Sequence, residues 1–414
     1  MVRAITKLSA PLYMQLTCWY APSYGWGGPI RLMADYAEWA MDSGLRVAVL
    51  TGDIHDDYTR VPKDAEHPLK SVISRYRVLV ASLARRAIYI FSPGYFFDAF
   101  MLVVKTPGCT IIHTSDLRGV LPLLACALKM LFPRKVRLVH SAFGMLHHKK
   151  SRLRERYDRF FMGIQMRLLD IALVQNDHEK KVYGDLIARH GGHAHVELLP
   201  LHGDRSTEQK GRFIEEDAAA LRKDYGIAEE TEILLFLGRF HPEKGLIRTL
   251  NLLREIRLRG VDAVLFIVGR DHGFLDAMRA HIVTCGLSSY VFIVMNVNQR
   301  RFSYYKMADV FLGFPTIVEE TMLSSVEALG QGTPVLLSRE ADMPYVENEG
   351  AGFVIDFDMD AAVVLLQEII TRKTEFSDKA FEVANRYYSP ASIQKLFFES
   401  VVAQMKVNVE KVAK

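Results

Sequence analysis

Cysteine is scarce in this chain. The four present, Cys18, Cys109, Cys126 and Cys285, are scattered, without the spacing of a metal site or the count of a disulfide framework. That excludes a small disulfide-stapled secreted domain and fits a reduced, cytoplasmic compartment. An excess of one charge is also missing. The 52 Lys and Arg and 48 Asp and Glu leave a net +4 over 414 residues, so the whole molecule is not a nucleic-acid polycation. No segment reaches the roughly 18 uninterrupted apolar residues of a membrane-spanning helix. Residues 88–104 are broken by Pro93, Gly94 and Asp98, and 119–133 is shorter and carries Lys129. Arg3 and Lys7 ahead of apolar residues imitate a signal peptide, but Pro11, Gln15 and Thr17 interrupt the stretch. Internal repeats and low-complexity segments are absent too.

What is present is the composition of a folded globular protein, 50% hydrophobic and 24% charged. The length exceeds one ordinary core, so two domains are expected. Apolar strand-like runs fall at 13–19, 46–51, 110–113, 136–141, 171–174 and 196–199, with helix-like stretches such as 29–43, 119–131 and 177–189 between them. The pattern restarts with strands at 232–237, 263–268, 291–294, 310–314, 334–337 and 352–355. Continuous apolar strands alternating with helices predict an α/β fold whose parallel sheets are covered on both faces. The polar stretch 203–230 reads as the boundary. The expected domains are 1–205 and 206–388, with a final helical segment, 389–414, packing back towards the first. Ligands of such sheets bind beyond the carboxyl ends of the strands, so a cleft between the domains is the expected site.

Two carboxylates eight positions apart, Glu319 and Glu327, stand where a strand passes through a turn into a helix. Carboxylates accept hydrogen bonds from hydroxyls, and helix starts attract phosphates. Upstream, Leu237-Gly238-Arg239-Phe240-His241-Pro242-Glu243-Lys244-Gly245 follows a strand and opens a helix. Gly238 allows a sharp turn, and Arg239 and Lys244 are cations suited to a diphosphate. Each feature taken alone also reads as a solvated loop with ordinary surface charges.

Together these segments resemble the retaining GT-B glycosyltransferases of glycosyltransferase family 4. Ile267-Val268-Gly269-Arg270-Asp271, Tyr304-Tyr305-Lys306-Met307-Ala308-Asp309-Val310 and Glu327-Ala328-Leu329-Gly330-Gln331-Gly332-Thr333-Pro334-Val335 resemble further family segments in the expected order. The likeness is close over 232–355 and weaker at the N-terminus, where Gly25-Trp26-Gly27-Gly28-Pro29 precedes a helix. It implies two Rossmann-like domains facing across a cleft, the GT-B architecture. It implies a hexose or N-acetylhexosamine moved from a nucleotide diphosphate sugar to a glycan or lipid-linked glycan, in surface polysaccharide or glycoconjugate synthesis, with no metal or other cofactor. Arg239 and Lys244 would hold the donor diphosphate. Glu319 would face the transferred sugar, and Glu327 the ribose. Amides of Glu320, Thr321 and Met322 would approach the sugar and phosphate. Gly238 would shape the loop, and Gly27 and Gly28 would let the N-terminal loop approach the donor. His140 would lie near the reacting centre. The family's small Gly-Phe-Gly turn is replaced here by Glu320-Thr321-Met322, and Val294-Met295-Asn296 stands where a base-contacting glycine is usual.

On the acceptor side, Lys129, Arg134, Lys135, Arg137, Lys149, Lys150, Arg152, Arg154, Arg156 and Arg159 form a basic stretch opposed only by Glu155 and Asp158. Arg75, Arg77, Arg85 and Arg86 precede the aromatics Tyr89, Phe91, Tyr95, Phe96, Phe97 and Phe100. Cations beside apolar side chains suit an anionic membrane surface, which would place the chain on the cytoplasmic face of a membrane. The same residues read equally as a core with solvated charges between its elements. No aromatic-basic RNA module appears, so no nucleic-acid partner is expected. His140 also reads as a satisfied buried histidine, Trp19 and Trp26 as packing residues, and His147-His148 as a solvated loop without metal spacing. Two other functions share the architecture: a sugar-nucleotide epimerase or hydrolase, and a catalytically silent nucleotide-sugar-binding scaffold.

Overall fold

The structure, a computed structural model, describes residues 10–23, 28–55, 59–61, 67, 69–83, 86–144, 146, 152–204, 206–295, 297, 300–319 and 322–403. The chain divides into two compact units, one of Met1–Leu199 with Gln394–Lys414 and one of Pro200–Ile393.

The first unit holds strands β1 (Leu12–Leu16), β2 (Arg46–Gly52), β3 (Ile73–Tyr76), β4 (Val78–Leu83), β5 (Arg86–Phe91), β6 (Thr110–Thr114), β7 (Val136–Ser141), β8 (Ile171–Val174) and β9 (His195–Leu198). Its helices are α1 (Gly28–Asp42), α2 (Pro93–Lys105), α3 (Val120–Leu131), α4 (Arg152–Tyr157), α5 (Gly163–Leu168) and α6 (Asp177–Arg189). Seven strands form a sheet in the order β3-β2-β1-β6-β7-β8-β9, with parallel pairing throughout. β4 and β5 form a separate antiparallel hairpin.

The second unit holds β10 (Glu232–Leu237), β11 (Ala263–Gly269), β12 (Val291–Met295), β13 (Val310–Gly313), β14 (Val335–Ser338) and β15 (Gly352–Ile355). Its helices are α7 (Ser206–Asp224), α8 (Leu246–Leu258), α9 (Leu275–Thr284), α10 (Arg301–Met307), α11 (Leu323–Leu329), α12 (Met359–Thr371) and α13 (Lys373–Tyr387). The sheet order is β12-β11-β10-β13-β14-β15, again all parallel. α14 (Pro390–Phe397) begins in this unit, and its last residues belong to the first.

Each strand position read from the apolar runs carries a strand. β11 shows why the reading works: Ala263 to Val268 are all buried, as a central parallel strand with helices on both faces requires. Helix starts follow capping chemistry, with Asn176 accepting from the Glu179 amide at 2.8 Å and Asp358 from the Ala361 amide at 2.9 Å. β3 and the β4–β5 hairpin were not foreseen; their arginines and aromatics were read as a basic surface, not as strand alternation. The polar stretch 203–230 is mostly α7. Its apolar stripe is thin, with Ile214, Ala218 and Leu221 buried at helical spacing, and most residues of 211–224 face water, so the stretch looks like linker. Phe397 of α14 stacks on Tyr36 with ring centroids 5.1 Å apart and also meets Tyr13 and Trp39, all in the first unit. The cysteines among the described residues are free. Among those residues no helix is long and apolar enough to cross a membrane.

Two histidines stand on neighbouring strands inside the first unit. His113 has Nδ1 2.5 Å from the Tyr13 hydroxyl and Nε2 2.8 Å from Ser141 Oγ. His140 has Nδ1 3.3 Å from Thr114 Oγ1 and Nε2 3.2 Å from the Tyr183 hydroxyl. Burial penalises the imidazolium and pushes His113 down to about 3 and His140 to about 4. The unfolded chain therefore binds protons that the folded chain refuses. Stability is full above the unfolded value and falls as pH drops from 6.5 towards about 4 at His140. Chemical denaturation across that range is expected to show a falling unfolding free energy, and His140→Gln is expected to flatten the slope.

Candidate functional site: the carboxyl ends of β10 and β13

In the second unit the chain order reverses between β10 and β13, which lie side by side with Leu234 opposite Val310 and Leu235 opposite Phe311. Such a switch point leaves a crevice beyond the strand ends. Both segments singled out in the sequence open there. The loop 238–245 leaves β10, and 314–319 leaves β13.

Backbone contact holds the two loops together. Gly245 has φ +71°, and a Cβ placed there would lie 1.7 Å from the Phe314 carbonyl oxygen. No residue with a side chain fits. The Thr316 amide donates to the Glu243 carbonyl at 2.9 Å, and Arg248 donates to the Pro315 carbonyl at 3.1 Å. On the other side of β10, a Cβ at Gly269 would lie 1.8 Å from the Gly238 carbonyl oxygen. The Gly238 amide donates to Val268 at 2.9 Å and the Phe240 amide to Arg270 at 2.8 Å.

This scaffold brings Lys244 and Glu319 together as an ion pair, with only 17% and 18% of their side chains exposed. The Glu319 amide is fixed by the Glu340 carbonyl at 2.7 Å. The ammonium carries three donor protons, so Lys244 can hold Glu319 and still meet an anion. Arg239 is exposed at the mouth of the loop. Burial lowers the affinity of His272 for a proton, and the charges of Arg239 and His241 lower it further. Arg239, His241, Arg270 and His272 thus stand near one another at the ends of β10 and β11. Gly238 packs on the Phe236 ring.

Glu327 lies on α11 with 6% of its surface exposed. A carboxylate so buried needs partners, and α10 supplies them. Arg301 Nη2 and Nε donate to its two oxygens at 2.9 and 3.1 Å, and the Tyr305 hydroxyl donates at 3.3 Å. Arg301 also reaches Asp204 at 3.1 Å. Burial opposes the Arg301 charge, but the adjoining Glu327 carboxylate outweighs it and holds the guanidinium above its ordinary value. Arg301 was not singled out in the sequence. The available signal was its spacing: Arg301 and Tyr305 are four apart and share one helix face.

The other expected residues are distributed as follows. Met322 is buried, and its side chain packs over Gly313. Gly28 is the first residue of α1 in the first unit, and His140 is the buried histidine of β7. Gly27, Glu320 and Thr321 lie outside the described residues, as do Trp26, Asn296 and 147–150. Among the described residues no group of three or more His, Cys, Asp or Glu is placed to hold a metal ion.

Residues 217–385 match the family described as glycosyl transferases group 1. The chain is 28% identical over 190 residues to a D-inositol 3-phosphate glycosyltransferase of Catenulispora acidiphila, covering 42% of this chain and 44% of that one. It is 28% identical over 128 residues to a lipopolysaccharide 1,2-N-acetylglucosaminetransferase of Salmonella typhimurium, covering 29% and 33%. The chain spans about half or less of the length of the curated relatives it matches. The fold resembles that of the Anabaena HepE protein in complex with UDP, with a TM-score of 0.70, 14% identity and 94% and 99% of the two chains covered. The resemblance to GT-B glycosyltransferases thus holds in sequence over the second unit and in fold over nearly all the chain.

Two substitutions test this geometry. Gly245→Ala is expected to lower the unfolding free energy by roughly 2 kcal/mol or more, from backbone strain and the collision with Phe314. Arg301→Leu strands a buried carboxylate and is expected to cost about 3 kcal/mol, largely recovered when Glu327→Gln is added. Urea denaturation of the single and double variants reads both.

Proposed function

We propose that this chain is a retaining, metal-independent glycosyltransferase. It moves a hexose or N-acetylhexosamine from a nucleotide diphosphate sugar to a hydroxyl of a glycan or lipid-linked glycan. The observation that carries this reading is the pairing of Lys244 with Glu319 at the switch point of the unit that matches the glycosyl transferase family. UDP in the structurally similar HepE supports a nucleotide donor.

In this mechanism Arg239 and Lys244 hold the diphosphate, and Glu327 accepts hydrogen bonds from the ribose hydroxyls. Glu319 orients the transferred sugar while its charge is balanced by Lys244. Amides of 320–322 approach the sugar and phosphate, with Gly238 shaping the loop. The bond between the anomeric carbon and the phosphate oxygen breaks. The acceptor oxygen bonds to that carbon from the same face, and its proton passes to the departing phosphate. The cations stabilise the charge that develops on the nucleoside diphosphate, which is the work a metal ion does elsewhere. His140 serves the acceptor side indirectly, as a neutral group whose two ring nitrogens hold Thr114 and Tyr183 in place. Burial holds it at about 4, which suits orientation better than proton exchange. A membrane-borne acceptor agrees with exposed Phe97, Phe100, Phe160 and Phe161 in a unit rich in cations, and the lipopolysaccharide enzyme among the relatives agrees with glycoconjugate synthesis.

Lys244→Ala and Glu327→Ala are each expected to lose roughly 100-fold or more in kcat/KM while far-ultraviolet circular dichroism stays native. Proton NMR of the product is expected to show the donor's anomeric configuration retained. Near-normal transfer by both variants would sink the assignment.

A further inference from the structure

The first unit carries a second polar pocket, at the amino ends of its strands. Helices in this unit run back against the strands, so the last turns of α3 and α5 arrive beside the first residues of β7, β8 and β9. There Lys129, Arg137, Arg167, Asp170, His193 and His195 line a concavity of roughly 360 Å³. Small-molecule sites begin at about that size. This edge is opposite the carboxyl ends at which a doubly wound sheet takes its usual ligand.

The charges in this pocket are unevenly matched. Asp170 is its one lining carboxylate, and it is already engaged. It accepts from Lys129 Nζ at 2.8 and 3.0 Å and from the Leu138 amide at 2.7 Å. Lys129 is itself satisfied, since it also donates to the Val136 carbonyl at 2.8 Å. It was expected among solvated or membrane-facing cations, yet it is buried against Asp170. Among the described residues Arg137 has only long contacts, 3.4 Å to the Pro133 and Val136 carbonyls and 3.9 Å to Asp170. Arg167 spends its Nε on the His190 carbonyl at 2.8 Å. The terminal nitrogens of Arg167 and the rings of His193 and His195 make no hydrogen bond among the described residues. Three cations against one carboxylate leave the lining at a net +2 with the imidazoles neutral.

We infer that this pocket binds a phosphate ester, held on the guanidinium groups of Arg137 and Arg167 with His193 and His195 as additional donors. Two guanidinium forks match the several oxygens and the charge of a phosphate better than those of a single carboxylate. Met130 and Leu131, beside Lys129 in α3, are exposed. A phospholipid headgroup is therefore one source of the phosphate, and a soluble phosphate ester is the other. The inference is independent of the donor chemistry, because none of these residues belongs to the second unit.

The test uses the full chain. Calorimetry with glycerol 3-phosphate and with inorganic phosphate reads the soluble source. Co-sedimentation with phosphatidylcholine vesicles, pure or with roughly a third phosphatidylglycerol, reads the lipid source. The wild-type chain is expected to bind in at least one arm. Arg137→Gln with Arg167→Gln is expected to weaken that binding about tenfold or more with the melting temperature unchanged. If that double variant does not fold, His193→Asn with His195→Asn, at exposed positions, is expected to weaken it about threefold. Binding to vesicles alone assigns the headgroup, and binding to glycerol 3-phosphate assigns the soluble ester. No binding in any arm, or equal binding by wild type and a folded variant, overturns the inference.

Discussion

A missing side chain governs the candidate site. At Gly245 a Cβ would lie 1.7 Å from the Phe314 carbonyl oxygen, so the loop after β10 can rest directly on the end of β13 only because that position is glycine. From this contact the remaining geometry follows. Lys244, one residue earlier, is delivered to Glu319, five residues beyond Phe314. The Thr316–Glu243 and Arg248–Pro315 hydrogen bonds then lock the two loops in register. A cation and a carboxylate separated by 75 positions in the chain thereby become one preorganised pair.

Glu327 poses a different problem and meets it in a different way. Its carboxylate is nearly enclosed, and a lone charge in such surroundings would take up a proton or destabilise the fold. The two-pronged contact from Arg301, with the Tyr305 hydroxyl beside it, fixes both the charge and the orientation of the group. Because Arg301 also holds Asp204, one guanidinium ties the Glu327 carboxylate to the segment that opens the second unit. Pairs of this kind add little net stability compared with apolar packing, but they specify where a charge points.

The fold was legible where signals are local. Buried parallel strands read as unbroken apolar runs, so β10 to β15 could be placed from the sequence. Gly238, Lys244 and Glu319 announced themselves as a glycine and charges soon after such runs, and Glu327 as a carboxylate in the helix that follows. What escaped was pairing across long separations. Arg301 lies 26 residues from Glu327 and 97 from Asp204, and nothing beside it in the sequence marks it as their partner. Lys129 looked like one cation of a basic surface because Asp170, its partner, is 41 residues away. α7 looked like a linker because only a narrow stripe of it is apolar. The hairpin of β4 and β5 was hidden by arginines and aromatics that suggested a surface.

The central claim is that the ends of β10 and β13 form a nucleoside diphosphate site. Calorimetric titration of UDP, GDP, ADP and dTDP into the full chain, and into a Glu327→Gln variant, addresses it most directly. The account predicts saturable binding of at least one of them, weakened by about tenfold in the variant through the lost ribose contact. Absence of binding by all four, or affinity unchanged by the substitution, would contradict it.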